Sequence, residues 1–165
     1  HRANLNEADL KGANLQGANL SQANFSRANL EQKNLQEVNL EGTRLCRANL
    51  HGANLSGVKL NVAAKLNKIN LSQANLSQAD LSEIDLSQAN LNLANLSEAN
   101  LQGTKVTDEQ LSHVKNLEGA IMPDGNKYVP KAPSKPEGAA DKGERRKATV
   151  TGLAASLARL KGEDK

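Results

Sequence analysis

Leucine returns at every fifth residue from Leu5 to Leu101, and that beat leaves very few folds open. The run is Leu5, Leu10, Leu15 and Leu20, then Phe25 in the same slot, then Leu30 to Leu60 in steps of five. After one six-residue step it resumes at Leu66 and continues to Leu101, closing with Val106. A fixed internal period marks a repeat architecture, in which each unit buries its apolar side against its neighbours. Five matches neither the period of about 3.6 of a helix nor the period of about 2 of a strand. A helix would wind these leucines around all its sides and leave no buried stripe. A chain that turns a corner every five residues keeps them all inward. Four sides then close a square turn of about 20 residues, and turns stack at the ~4.7–4.9 Å spacing of paired strands.

The other slots agree. Two residues before each leucine stands a small side chain, usually Ala, as in Ala3, Ala8, Ala28, Ala53, Ala74 and Ala99. That slot also points inward, and only a small group leaves room for the leucines. Asn or Asp precedes the leucine, and these side chains bond nearby backbone and favour turns. The remaining two positions are polar and face solvent. The motif Ala-Asn/Asp-Leu-x-x resembles the pentapeptide repeat family of bacterial, especially cyanobacterial, proteins over about two thirds of the chain. The resemblance implies an all-β fold, a right-handed quadrilateral parallel β-helix of about five coils, roughly 25 Å long. It does not imply one function, because such folds serve unrelated roles.

Bulk numbers constrain the rest. Aromatic residues make up 1% of the 165 residues, so the core must be a thin aliphatic stack. The net charge is +3. Residues 1–106 carry ten Lys/Arg against nine Asp/Glu, and residues 127–165 carry ten against five. The repeat body is near neutral and the excess base lies after it. One cysteine, Cys46, excludes an internal disulfide framework. No apolar run approaches the ~20 residues of a membrane-spanning helix. The chain opens at His1 within the repeat, so the absence of a signal peptide there carries no weight; a cytoplasmic location is the expectation.

Departures from the beat draw attention. The step from Leu60 to Leu66 must bulge one residue at a corner. Lys33 occupies an inward alanine slot, and its stem is expected to snorkel outward. Val38 and Val58, one coil apart in that slot, should stack and widen their side. Read by columns, the side bearing Leu5, Phe25, Leu45, Leu66, Leu86 and Val106 presents Arg27, Arg44, Arg47, Lys65, Lys68 and Lys105, broken by Asp85. The side bearing Leu15, Leu35, Leu55, Leu76 and Leu96 reads as an Asn14–Asn34–Asn54–Asn75–Asn95 ladder.

Beyond residue 106 the pattern changes. Thr107 reads as an N-cap for a short helix with Leu111, Val114 and Leu117 on one face, ended by Gly119. The expected organisation is a β-helix over 1–106, a helical cap over 107–126, a flexible linker over 127–148 and a disordered tail over 149–165. In that tail Val150, Leu153, Leu157 and Leu160 mark a short amphipathic helix suited to docking on a partner.

Nothing in the sequence resembles an active site, a cofactor site or a metal site. His1, His51 and His113 are dispersed. The expected function is a non-catalytic protein–protein interaction scaffold or adaptor. Its candidate partner-binding residues are the six cations above, facing an acidic protein surface, and the four apolar tail residues. Nucleic acid is disfavoured, because stacking aromatics are lacking. Two alternatives stand beside it. One is an acidic DNA mimic that binds a topoisomerase, as in quinolone resistance, which the near-neutral body argues against. The other is cargo directed into a bacterial protein compartment by its C-terminal peptide.

Overall fold

The structure, a computed structural model, describes residues 2–60 and 63–130. Its backbone is held by parallel bridges between residues one coil apart: Asn4 to Asn24, Asn24 to Arg44, Asn29 to Asn49, Asn75 to Asn95 and Asp80 to Asn100. The offset is twenty residues except where the chain passes the slip, as from Asn49 to Asn70, or residues 107–115, as from Asn95 to Asn116, where it is twenty-one. Five coils therefore cover residues 3–22, 23–42, 43–60 with 63, 64–83 and 84–103, and a sixth begins at residue 104.

Each rung repeats one set of bonds. The leucine N–H donates to the Asn carbonyl of the next coil, as Leu55 to Asn75 at 2.7 Å. The Asn N–H donates back to the alanine carbonyl of the previous coil, as Asn75 to Ala53 at 2.9 Å. At each corner the residue after the polar pair donates to the leucine carbonyl, as Ala8 to Leu5 at 3.1 Å. The second polar residue takes a left-handed φ there, +61° at Glu7, +59° at Arg27 and +58° at Leu93. This is the geometry of a turn with positive φ at its third residue, uncomfortable for L side chains. The strain is offset because the same N–H reaches the next coil, as Glu7 N–H to Ser26 O at 2.9 Å.

The core is the predicted aliphatic stack. Phe25 and the fifth-position leucines from Leu30 to Leu101 are buried, with Ala23, Ala28, Ala48, Ala53, Ala74 and Ala94 beneath them, whereas Leu93, at a corner, is exposed. Leu5, Leu10, Leu15 and Leu20 in the first coil are partly buried. Thr43 and Thr104 stand in inward slots and hide their hydroxyls by donating to Leu40 O and Leu81 O.

Two asparagine ladders run along the coils. Asn54, Asn75 and Asn95 each donate Nδ2 to Oδ1 of the Asn one coil earlier, at 3.1, 3.2 and 3.0 Å. The same Oδ1 accepts the N–H two residues on, as Ser77 N–H to Asn75. The second ladder, Asp9–Asn29–Asn49–Asn70–Asn90, is an addition to the one expected. Both run one way, with the later coil donating. An Asp cannot donate, and the three in this slot fit that rule. Asp9 lies in the first coil, while Asp80 and Asp85 follow Lys59 and Lys65 rather than an Asn.

Three seams are open. Lys33 does not snorkel outward as expected. Its half-buried Nζ donates to Ala13 O at 3.2 Å, the carbonyl that the Asn34 N–H would otherwise use. The bridge from Asn14 to Asn34 is not made, so that ladder starts at Asn34. Val58 stacked on Val38 accompanies the loss of the bridge from Asn39 to Lys59. The third seam parts Lys65 from Asp85, where Ile84 fills the inward slot after Ala64.

The C-terminal end departs from the expectation of helix out to Gly119. Helix α1 is Asp108–Ser112, with Thr107 and Gln110 forming a reciprocal capping box. Leu111 carries the core upward, and Gln110 Nε2 donates to Leu86 O and Ala89 O at 2.8 and 2.7 Å. The coil then resumes: Asn116 pairs with Asn95, Ile121 with Asn100, and Ala120 is fully buried. Lys127 bridges antiparallel to Ile121, and Tyr128 N–H donates to Ala120 O at 2.8 Å. The hydrogen-bonded chain thus extends past the boundary expected at residue 126.

Two substitutions test these arguments. Asn75→Asp sets a carboxylate against Asn54 Oδ1 and is expected to cost about 1–2 kcal/mol at neutral pH, whereas Asn4→Asp, with only a donor above it, is near neutral; urea midpoints compare them. The N75D penalty shrinks as pH falls and the crowded carboxyl gains a proton. Lys33→Ala should let Asn34 N–H reach Ala13 O, slowing amide hydrogen exchange at Asn34 and raising the melting temperature.

Candidate functional site

The bridges fix where the six cations stand. Arg44 and Lys65 are opposite one another on adjacent coils. Arg47 N–H donates to Asn67 O at 2.9 Å, which sets Arg47 beside Lys68. Opposed residues lie ~4.8 Å apart at the backbone, and the two ends of one side are at most ~10 Å apart. The four form a rectangle over residues 44–47 and 65–68. Cys46 and Asn67 lie between them, with Cys46 half-buried and its Sγ 3.6 Å from Lys65 O.

The other two cations are already neutralised. Arg27 Nη1 lies 2.9 Å from Glu7 Oε1 one coil earlier. Lys105 Nζ lies 3.8 Å from Asp85 Oδ2. Both pairs are exposed and contribute little to stability. Among the described residues Arg44, Arg47, Lys65 and Lys68 have no acid within salt-bridge distance. The basic column is therefore four free cations between two ion pairs. The sequence reading missed Glu7, although the column arithmetic that places Arg27 also places it.

Asp85 is held below its ordinary value of 3.8, chiefly by the hydroxyl and backbone N–H of Ser87, with Lys105 adding a smaller pull. Ser87 Oγ donates to Asp85 Oδ1 at 2.6 Å and its N–H at 3.0 Å.

Other features do not assemble chemistry. His51 Nδ1 is 2.9 Å from Ser72 Oγ, but that hydroxyl donates to Asn70 Oδ1 at 2.7 Å. Its proton is thus committed away from the imidazole, which donates rather than acting as a base. No group of three or more potential metal ligands comes together among the described residues. None of their helices is long and apolar enough to cross a membrane. At the open valine seam a surface recess of about 670 Å³ is floored by Val38, Val58 and Leu60, with Glu37, Lys59 and Glu83 around it. The four apolar tail residues Val150, Leu153, Leu157 and Leu160 lie outside the described residues.

Stacked four-sided coils, filled by one leucine per side, define a repeat protein whose outward residues are set by the coil. Residues 3–37, 23–61 and 69–108 match pentapeptide repeats, in 8 copies, and the chain belongs to that family. Among solved structures it is similar to HetL, a pentapeptide repeat protein involved in heterocyst differentiation regulation from the cyanobacterium Nostoc sp. strain PCC 7120. The identity is 32% over 78% of this chain and 67% of that one, with a TM-score of 0.48. It is also similar to Rfr23, a pentapeptide repeat protein from the cyanobacterium Cyanothece 51142. There the identity is 29%, covering 64% of this chain and 88% of that one, with a TM-score of 0.28. A third is QnrB1, a plasmid-mediated fluoroquinolone resistance protein, at 20% identity over 72% and 77% of the two chains, with a TM-score of 0.34. Comparison with curated proteins gave no match.

The Asp85 carboxyl offers a direct check. Ser87→Ala removes its strongest donor, and the carboxyl should titrate closer to 3.8 in carbon-13 NMR. The sign is set by the depressed folded value. The interaction stabilises the fold above the ordinary carboxylate value and is lost as pH falls through the folded one.

Proposed function

We propose that this chain is a non-catalytic protein–protein interaction scaffold: a right-handed quadrilateral parallel β-helical rod with an adaptor segment at its C-terminal end. One observation carries the reading. The interior is filled by leucine and alanine, and the coil spacing fixes every outward column relative to the next. A frame of this kind presents a rigid array of side chains to a partner and supplies no enclosed site for a reaction. The free cations favour an acidic partner, and the residues 149–165 contribute a second, apolar contact on this reading. The DNA-mimic alternative requires an acidic column, and the most charged side of this rod is basic. The compartment-cargo alternative rests on the tail alone.

Capture from native lysate tests the scaffold. The full chain is expected to retain specific protein partners, and a chain lacking residues 149–165 to keep its melting temperature while losing capture. Unchanged capture by the shortened chain rejects the adaptor role of the tail. Dose-dependent protection of gyrase from a quinolone by the purified protein replaces the scaffold reading with mimicry.

A further inference from the structure

Resting on the scaffold reading, we propose that Arg44, Arg47, Lys65 and Lys68 form the docking site for an acidic peptide segment of a protein partner, bound across the third and fourth coils. The cations at either end of the column are engaged by Glu7 and Asp85, so charge is left uncompensated only in this rectangle among the column's cations. Like charges one coil apart repel, and an anion between them relieves that repulsion. The residues at the centre, Cys46 and Asn67, are neutral and small enough to let a chain approach.

The open seam supplies a further donor. In the two rungs below, the corner N–H is used inside the rod: Arg27 to Cys46 O and Arg47 to Asn67 O, both at 2.9 Å. The seam to residues 85–88 has parted, so the N–H of exposed Lys68 has no backbone acceptor. Lys68 thus brings both an unused N–H and a free ammonium to this corner, and a carboxylate can accept from either. Alternate carboxylates of an extended acidic segment lie ~7 Å apart on one face, so two fit within the ~10 Å length of a side. A recess next to the rectangle, lined by Arg2, Gln22, Asn24, Gly42, Arg44 and Lys65, gives such a segment room to continue over the corner.

The surroundings separate this partner from other polyanions. The one phenylalanine is buried in the core and the one tyrosine lies at residue 128, so no phenyl, phenol or indole ring stands in this column to stack bases. A lipid surface calls for apolar side chains among the cations. The exposed large hydrophobics among the described residues are Leu93 and Val129, neither of which belongs to this column.

Cys46, the one cysteine, reports occupancy from within the rectangle. Hexaglutamate should slow modification of Cys46 by N-ethylmaleimide about tenfold at low salt, and the protection should fade as salt is raised. Hexaglutamine should give none. Protection should vanish in Arg47→Glu/Lys68→Glu and persist within twofold in Arg27→Gln/Lys105→Gln, with circular dichroism confirming the fold. If the charge-reversed protein does not fold, Arg47→Gln/Lys68→Gln decides in its place. Equal loss in both double variants overturns the site, since the column then acts as one diffuse field. Equal protection by short duplex DNA or by phosphatidylserine vesicles overturns the choice of partner. Lysate capture that persists while hexaglutamate gives no protection overturns this site and leaves the scaffold reading standing.

Discussion

The approach of one coil to the next is the constraint on which the structure depends. Leu55 reaches Asn75, and Asn75 reaches Ala53, only because the side chain two residues before each leucine takes up almost no room. A close rung also brings the two Asn side chains within hydrogen-bonding distance, so the ladder and the backbone bonds form together. The leucines provide the free energy of burial, but the alanines set the distance at which that burial happens. The seam at Lys33 shows the effect of filling the slot. The coils part on that side, and an ammonium takes the carbonyl that a backbone N–H would have used.

That dependence explains why features far apart in character occur together. The recess over Val38 and Val58, the unused N–H of Lys68 and the pairing of Asp85 upward to Lys105 all lie at parted seams. Inward volume alone does not decide the matter, since Ile69 sits over Ala48 with its rung intact. Two large residues in succession, a charged one, or a large one beside the six-residue step part the coils. The surface chemistry of this rod is thus partly written in its interior.

Much of the fold was legible because its signals are periodic. The leucine beat, the alanine slot and the outward cations come from counting by five, and the bridges place them as counted. The features that escaped were of two kinds. Pair identity needed every column read in full: Glu7 shares a column with Arg27, and the second Asn ladder shares its slot with the first. Backbone accommodation was signalled only in part: Gly12, Gly17, Gly42, Gly52, Gly57 and Gly103 fill the positive-φ corner slot, but Arg27, Lys68 and Leu93 carry the same φ where glycine would be the expected residue. The helix is shorter than its apolar spacing suggests because Leu111, Val114 and Leu117 fit both a helical face and a chain returning to the coil. The cap at Thr107 was visible, but the return at Asn116 was an Asn-Leu pair without an alanine before it.

The one-way ladders bear on how such a rod can lengthen. Each coil offers acceptors to the coil after it and donors to the coil before it, so copying a coil in place extends a ladder without rewriting it. Copies are interchangeable only where Asn stands on both sides of the join. A coil that carries Asp80 or Asp85 requires a predecessor that does not ask for a donor, as Lys59 and Lys65 do not. Those two positions act as grammar marks in an otherwise repetitive text: they give the order of the coils a meaning, and a shuffled rod would fail at them first.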